Sequence, residues 1–145
     1  MTDNKEILSL IQNATKLHGH LGPFLVIGVR MGDMAKRHLG LDDKSSRNLQ
    51  ASVKTPLCTP FSCVIDGIQA ATSCTVGNQK LKIENSTKEI SARFGLQSSD
   101  KTVKISVNPK VVDTLSEQMS KGVSIEQLAA KIARMREEQL FVLEK

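Results

Sequence analysis

Apolar residues recur at helical spacing from about Asn4 to Leu17, at Ile7, Leu8, Leu10, Ile11, Ala14 and Leu17, and Gly19 ends the run. A second helix is predicted from near Gly22. Pro23 is tolerated in its first turn, where the missing N–H has no helical partner. It carries Phe24, Leu25, Ile27, Gly28, Met31, Met34, Ala35 and Leu39, and Gly40 is a natural left-handed stop. Leu49, Ala51 and Val53 alternate as in a strand. Thr59-Pro60 resembles an N-cap followed by proline, which predicts a short buried helix over Phe61 to Ala71.

Three more alternating segments follow, at Leu81 and Ile83, at Ile90, Ala92 and Phe94, and at Val103, Ile105 and Val107. Polar or Gly-containing stretches separate them, which suggests an antiparallel meander. Asn108-Pro109 opens a helix with Val111, Val112, Leu115 and Met119, closed by Gly122. Ser124-Ile125-Glu126-Gln127 then has the capping-box form, and Ile125, Leu128, Ala129, Ile132 and Met135 give a last helix its apolar stripe. The expected fold class is α+β, an antiparallel sheet flanked by helices, in a single domain over 1–145.

The length of 145 residues and 39% hydrophobic content allow a real core without disulfide or metal staples. Apolar runs are too short for a membrane span. Met1-Thr2-Asp3-Asn4-Lys5-Glu6 has no basic stretch leading into an apolar one, so the expected location is cytoplasmic. Net charge is +5, but the basic residues are scattered, and there is no Trp or Tyr to stack bases. Nucleic acid is therefore not the expected partner. Three cysteines in a reducing compartment point to metal binding or reactivity rather than disulfides.

Two clusters could carry chemistry. The first is His18-Gly19-His20-Leu21-Gly22-Pro23, between two predicted helices. Histidines two apart do not share a helix face, but glycines on either side let the chain turn and bring both imidazoles near one point. A helix–helix loop with solvated or capping histidines is the competing reading. His38, beside Gly40, reads as a favourable charge at a helix C-terminus.

The second cluster runs from Thr59 to Gln69 and on through Ser73-Cys74-Thr75-Val76-Gly77. Cys63 is placed in a first helical turn, where unpaired N–H groups favour thiolate, the form that binds metal or attacks an electrophile. Asp66, three residues on, can accept a hydrogen bond from an imidazole and orient it. Either Cys63 or Cys74 alone also reads as a small buried hydrophobe. Cys58 could reach the same site or merely pack. No C-x-x-C pair supports a zinc knuckle.

Together these segments resemble the FmdE-like family, which takes its name from formylmethanofuran dehydrogenase. Its members carry His-Gly-His-x-Cys-Pro-Gly, a helix with Gly and Arg, then Cys, Asp-x-Ile-Gln and Gly-Cys-Thr-x-Gly. The counterparts here are His18 to Phe24, Gly28 and Arg30, Cys63 to Gln69, and Ser73 to Gly77, within a span of roughly 14–107. Gly22 stands where the family has its first cysteine, and Phe24 where it has the next glycine. The chain resembles a short form that stops at Lys145 without the cysteine-rich zinc-binding extension of some relatives.

The resemblance implies a transition-metal site, zinc or another divalent metal, drawing on His18, His20, Cys63 and Cys74. Two alternatives stay open. One is a metal-free enzyme with Cys63 as nucleophile, a histidine as base and Asp66 orienting it. The other is an accessory module binding a partner, a small-molecule ligand or a pterin-type cofactor for a molybdenum or tungsten redox enzyme. A homodimer is expected as well. Leu140-Phe141-Val142-Leu143 must fold back on its own core or pack on a neighbour, and the resemblance implies intertwined dimers.

Overall fold

A computed structural model describes residues 4–42 and 44–145; Met1, Thr2 and Asp3, part of the N-terminus read for location, lie outside the described residues. The helices are α1 (Asn4–His18), α2 (Pro23–His38), α3 (Cys63–Thr72), α4 (Pro109–Ser120), α5 (Ile125–Arg134) and α6 (Glu137–Leu140). The strands are β1 (Leu49–Thr55), β2 (Leu81–Asn85), β3 (Ser91–Leu96), β4 (Thr102–Val107) and β5 (Phe141–Glu144). The fold class is α+β. No helix among the described residues is long and apolar enough to cross a membrane.

The strands form one sheet in the order β2-β1-β3-β4-β5. This corrects the expected meander at one point: β1 lies between β2 and β3 and pairs with β2 in parallel, Ala51 beside Leu81 and Val53 beside Ile83. The other pairings are antiparallel, with Val53 opposite Ala92, Ala92 opposite Ile105 and Ile105 opposite Leu143. The chain from β1 to β2 contains α3, the crossover a parallel pair needs. Leu49, Ala51, Val53 and Thr55 are buried on one face of β1 while Gln50 and Ser52 are exposed on the other, the alternation of a sheet covered on one side.

The α2 helix is the centre of the core. Every residue from Pro23 to Val29 is buried, and the helix packs against α1, α3, α5 and β4. Arg30 ties it to α5: Nη1 donates to the carbonyl oxygens of Ile132, at 2.9 Å, and Met135. Those carbonyls lie at the C-terminal end of α5, where backbone acceptors lack helical partners. The predicted helix at Phe61 begins instead at Cys63. Residues 59–62 form a turn that includes a cis Thr59–Pro60 peptide, and the N–H groups of Cys63 and Val64 donate three residues back, to Pro60 and Phe61.

The apolar C-terminus folds back on its own chain. Leu140 and Phe141 are buried, β5 pairs with β4, and the Asn108 N–H donates to Leu140 O at 2.9 Å.

Candidate functional site

Gly19, at φ +100°, ends α1 in the left-handed region and lets the chain turn directly after His18. The turn brings the His18 and His20 rings to a centroid separation of 4.6 Å, tilted by 42°. Gly22 is the extended N-cap of α2, so α1 and α2 are joined by four residues that keep both histidines beside the start of α3.

Asp66, in the first turn of α3, accepts a hydrogen bond from His18 at 2.7 Å, Nδ1 to Oδ2. An ionised carboxylate only accepts, so Nδ1 carries the proton, and in the Nδ1–H tautomer Nε2 presents a lone pair. That Nε2 is buried and has no hydrogen-bond partner. Buried polar atoms are nearly always satisfied, so an orphan of this kind calls for an explanation. The other Asp66 oxygen, Oδ1, accepts from Gln69 Nε2 at 3.0 Å.

His18, His20, Gly22 and Cys63 line one cavity of about 40 Å³, walled on its apolar side by Pro23, Phe24, Leu25, Pro60, Met119 and Ile125. Phe24 stands edge-on to Phe61, with centroids 5.4 Å apart, and this packing joins the 59–62 turn to α2. The space suits an ion and a water molecule. It is far below the hundreds of cubic ångströms that a drug-sized ligand fills.

Cys63 does start a helix, but its surroundings work against the expected thiolate. Burial pushes its thiol up, the negative charge of Asp66 pushes the same way, and the helix-start backbone opposes them more weakly. Cys74 lies elsewhere. It follows the C-cap of α3, about 15 Å along the helix from Cys63, and its buried Sγ donates to Leu49 O at 3.2 Å. Burial also pushes the Cys74 thiol up. Cys58 is exposed and does not line the cavity. His38 is the exposed last residue of α2.

Among the described residues, no three His, Cys, Asp or Glu side chains are already gathered as a metal-holding group. The donors nonetheless fit a transition metal in kind. Two imidazoles and a thiol border one small cavity, one imidazole nitrogen is buried without a partner, and the far side of that ring is held by a carboxylate.

A family model described as "FmdE, Molybdenum formylmethanofuran dehydrogenase operon" matches residues 17–142, nearly the whole chain. The chain belongs to the FmdE family. It is also 34% identical over 76 residues to a protein of Archaeoglobus fulgidus described as a probable S-adenosyl-L-methionine-binding protein. That match covers 52% of this FmdE-family chain and only 20% of the relative.

Within the FmdE-family motifs, the sequence pointed to His18, His20 and Cys63, which line one cavity, to Asp66, which accepts from His18, and to Cys74, which does not line it. It assigned no part to Gln69, although Asp66-Gly67-Ile68-Gln69 has the three-residue spacing that places two side chains on one helix face. Met119 and Ile125 also went unassigned. They reach the cavity from near the end of α4 and the start of α5, and no local pattern announces that.

Proposed function

We propose that this FmdE-family chain binds a divalent transition metal, zinc before others, through His18 Nε2, His20 and the Cys63 thiolate. Asp66 is not a ligand in this reading; it fixes the ring that is. The observation that carries it is the buried, partnerless His18 Nε2, in the same cavity as Cys63 and His20, with Nδ1 anchored on Asp66. Metal-ligating histidines commonly hold their other nitrogen on a carboxylate in this way. Cys74 takes no part, since α3 separates it from the cavity. Three protein ligands leave one tetrahedral position for water or a substrate atom, and a bound zinc there would supply Lewis-acid chemistry.

The metal-free nucleophile reading has less support. Burial and Asp66 keep Cys63 as thiol, whereas an adjacent cation draws the proton off. The name of the archaeal relative supports no nucleoside site in this cavity of about 40 Å³. The family description supports an accessory role beside a molybdenum redox enzyme, which co-purification tests.

The deciding experiment is elemental analysis and competitive zinc titration of protein purified without an affinity tag. Stoichiometric metal is expected, together with a thiolate-to-metal charge-transfer band after cobalt substitution. Both should be lost in the His18→Ala, Cys63→Ala double variant. Metal content unchanged in that variant overturns the proposal.

A further inference from the structure

We infer that Gln69 is a positioning residue, which fixes the Asp66 carboxylate and through it commits His18 to the tautomer whose Nε2 lone pair faces the cavity. A single chain of directed hydrogen bonds leads to the ring. It begins at the Val76 N–H, which can only donate, and which donates to Gln69 Oε1 at 3.3 Å. It continues from Gln69 Nε2 to Asp66 Oδ1 at 3.0 Å and ends with His18 Nδ1 on Asp66 Oδ2 at 2.7 Å. The Gln69 amide is bracketed by a group that only donates and a group that only accepts. Flipping it would set donor against donor at one end and acceptor against acceptor at the other.

The fixed end of the chain is itself held. Thr75 N–H donates to Asn78 Oδ1 at 3.0 Å and Asn78 N–H to Thr75 Oγ1 at 3.1 Å. Asn78 Nδ2 donates to Ser73 O at 2.7 Å. The 73–78 turn, half of the sequence's second motif, is therefore the anchor of the His18 ring rather than a source of ligands. Asp66 needs such an anchor. Its side chain is 34% exposed, and the terminal torsion of a carboxylate is soft. With Oδ1 tied to Gln69, Oδ2 stays aimed at His18.

The consequence for metal affinity rests on the proposed metal site; the tautomer assignment does not. The test is Gln69→Met, near-isosteric but without donor or acceptor, compared with wild type by nitrogen-15 spectroscopy of labelled histidine in metal-free protein. Wild type should show a single His18 form, protonated on Nδ1. Gln69→Met should populate the Nε2–H form measurably, and its zinc affinity should fall about ten- to a hundredfold. If Gln69→Met does not fold, Gln69→Ala answers the same question, since it too offers Asp66 no donor and adds no charge. An unchanged His18 spectrum in a folded variant overturns the inference and leaves the metal reading standing. A changed tautomer in a protein that binds no zinc upholds the inference and overturns the metal reading.

Discussion

Gly28 and Gly67 meet where α2 crosses α3, backbone against backbone. A Cβ on Gly28 would stand 2.1 Å from Val64 O, and one on Gly67 would stand 2.2 Å from Leu25 O. Gly32 continues the contact one turn on, where a Cβ would press on Ala71 and Thr72 at 2.8 Å. This crossing holds Cys63 and Asp66 on α3 against the start of α2, and the cavity depends on it. Gly28→Ala and Gly67→Ala should each cost at least about 3 kcal/mol, because backbone atoms cannot yield as a side chain can. Denaturant midpoints measure this, and a cost below about 1 kcal/mol for either shows that the helices can part without penalty.

Gly22 is the opposite case. It lines the cavity, its backbone is extended at φ −148°, and nothing lies within 4 Å of where its Cβ would be. Gly22→Cys should therefore fold with a midpoint close to wild type and add a second thiol to the cavity. Under the metal reading, zinc affinity should rise at least tenfold, since thiolate is a strong zinc ligand. Competitive titration checks it; unchanged affinity in a folded Gly22→Cys means that the metal does not sit at this cavity.

Much of this was legible in the chain. Helix spacing and stops located α1, α2, α4 and α5, because apolar stripes and caps are local features. The Asp66–imidazole contact was also foreseeable, from a residue one turn into a helix. Strand order was not: β2 alternates as an antiparallel neighbour of β3 would, and only the packing of α3 as a crossover puts β1 between them. The burial that opposes ionisation of Cys63 was not legible for a similar reason. The helix-start effect can be read from sequence, but the burial that outweighs it is tertiary. Cys74 follows the motif yet points into the core because α3 spans about 15 Å.

Arg30 holds a more distant wall of the cavity. It joins α2 to the C-terminal carbonyls of α5, the helix whose first residue, Ile125, lines the cavity. Arg30→Leu should cost about 2 kcal/mol, in the range for hydrogen bonds from a charged donor, by leaving those carbonyls without it. Arg30→Lys should recover only part, because an ammonium lacks the planar fork. Denaturant midpoints of the two variants decide it, and full recovery by lysine would reduce the contact to simple charge.

The raised thiols set a pH dependence. In metal-free protein, Cys63 and Cys74 have folded pKa values above the unfolded value, so the folded state holds more protons as the unfolded thiols ionise. Stability must then fall as pH rises through the unfolded thiol pKa, about 8.5. Zinc reverses this for Cys63: binding expels its proton, so apparent affinity should climb about tenfold per pH unit below the folded pKa. Cys63→Ala should lessen that dependence, leaving only the part that the two imidazole ligands contribute at the acid end. A zinc affinity flat with pH between about 6 and 8 means the thiolate is not a ligand.

The C-terminus carries the last test. Of the two fates open to the apolar tail, the resemblance favoured packing on a neighbour, but the fold takes the other: Leu140 is fully buried, Phe141 is 5% exposed, and β5 completes the sheet beside β4. Deleting residues 140–145 therefore removes core rather than only an interface. Loss of those two side chains alone should cost about 3–6 kcal/mol, at roughly 1.5–3 kcal/mol each. It also bares the edge of β4, and a freed edge invites association. The truncated protein should melt far lower and aggregate instead of running as a clean monomer. The homodimer we propose is tested separately, on the full-length chain, by light scattering against a protomer mass of 15.9 kDa. Val142, 53% exposed on the outermost strand, is the substitution to pair with it. If β5 lies at the interface, Val142→Lys should halve the measured mass while leaving the melting of the protomer nearly unchanged. A truncated chain that stays folded and monomeric at wild-type stability would contradict the contribution of β5 to the core.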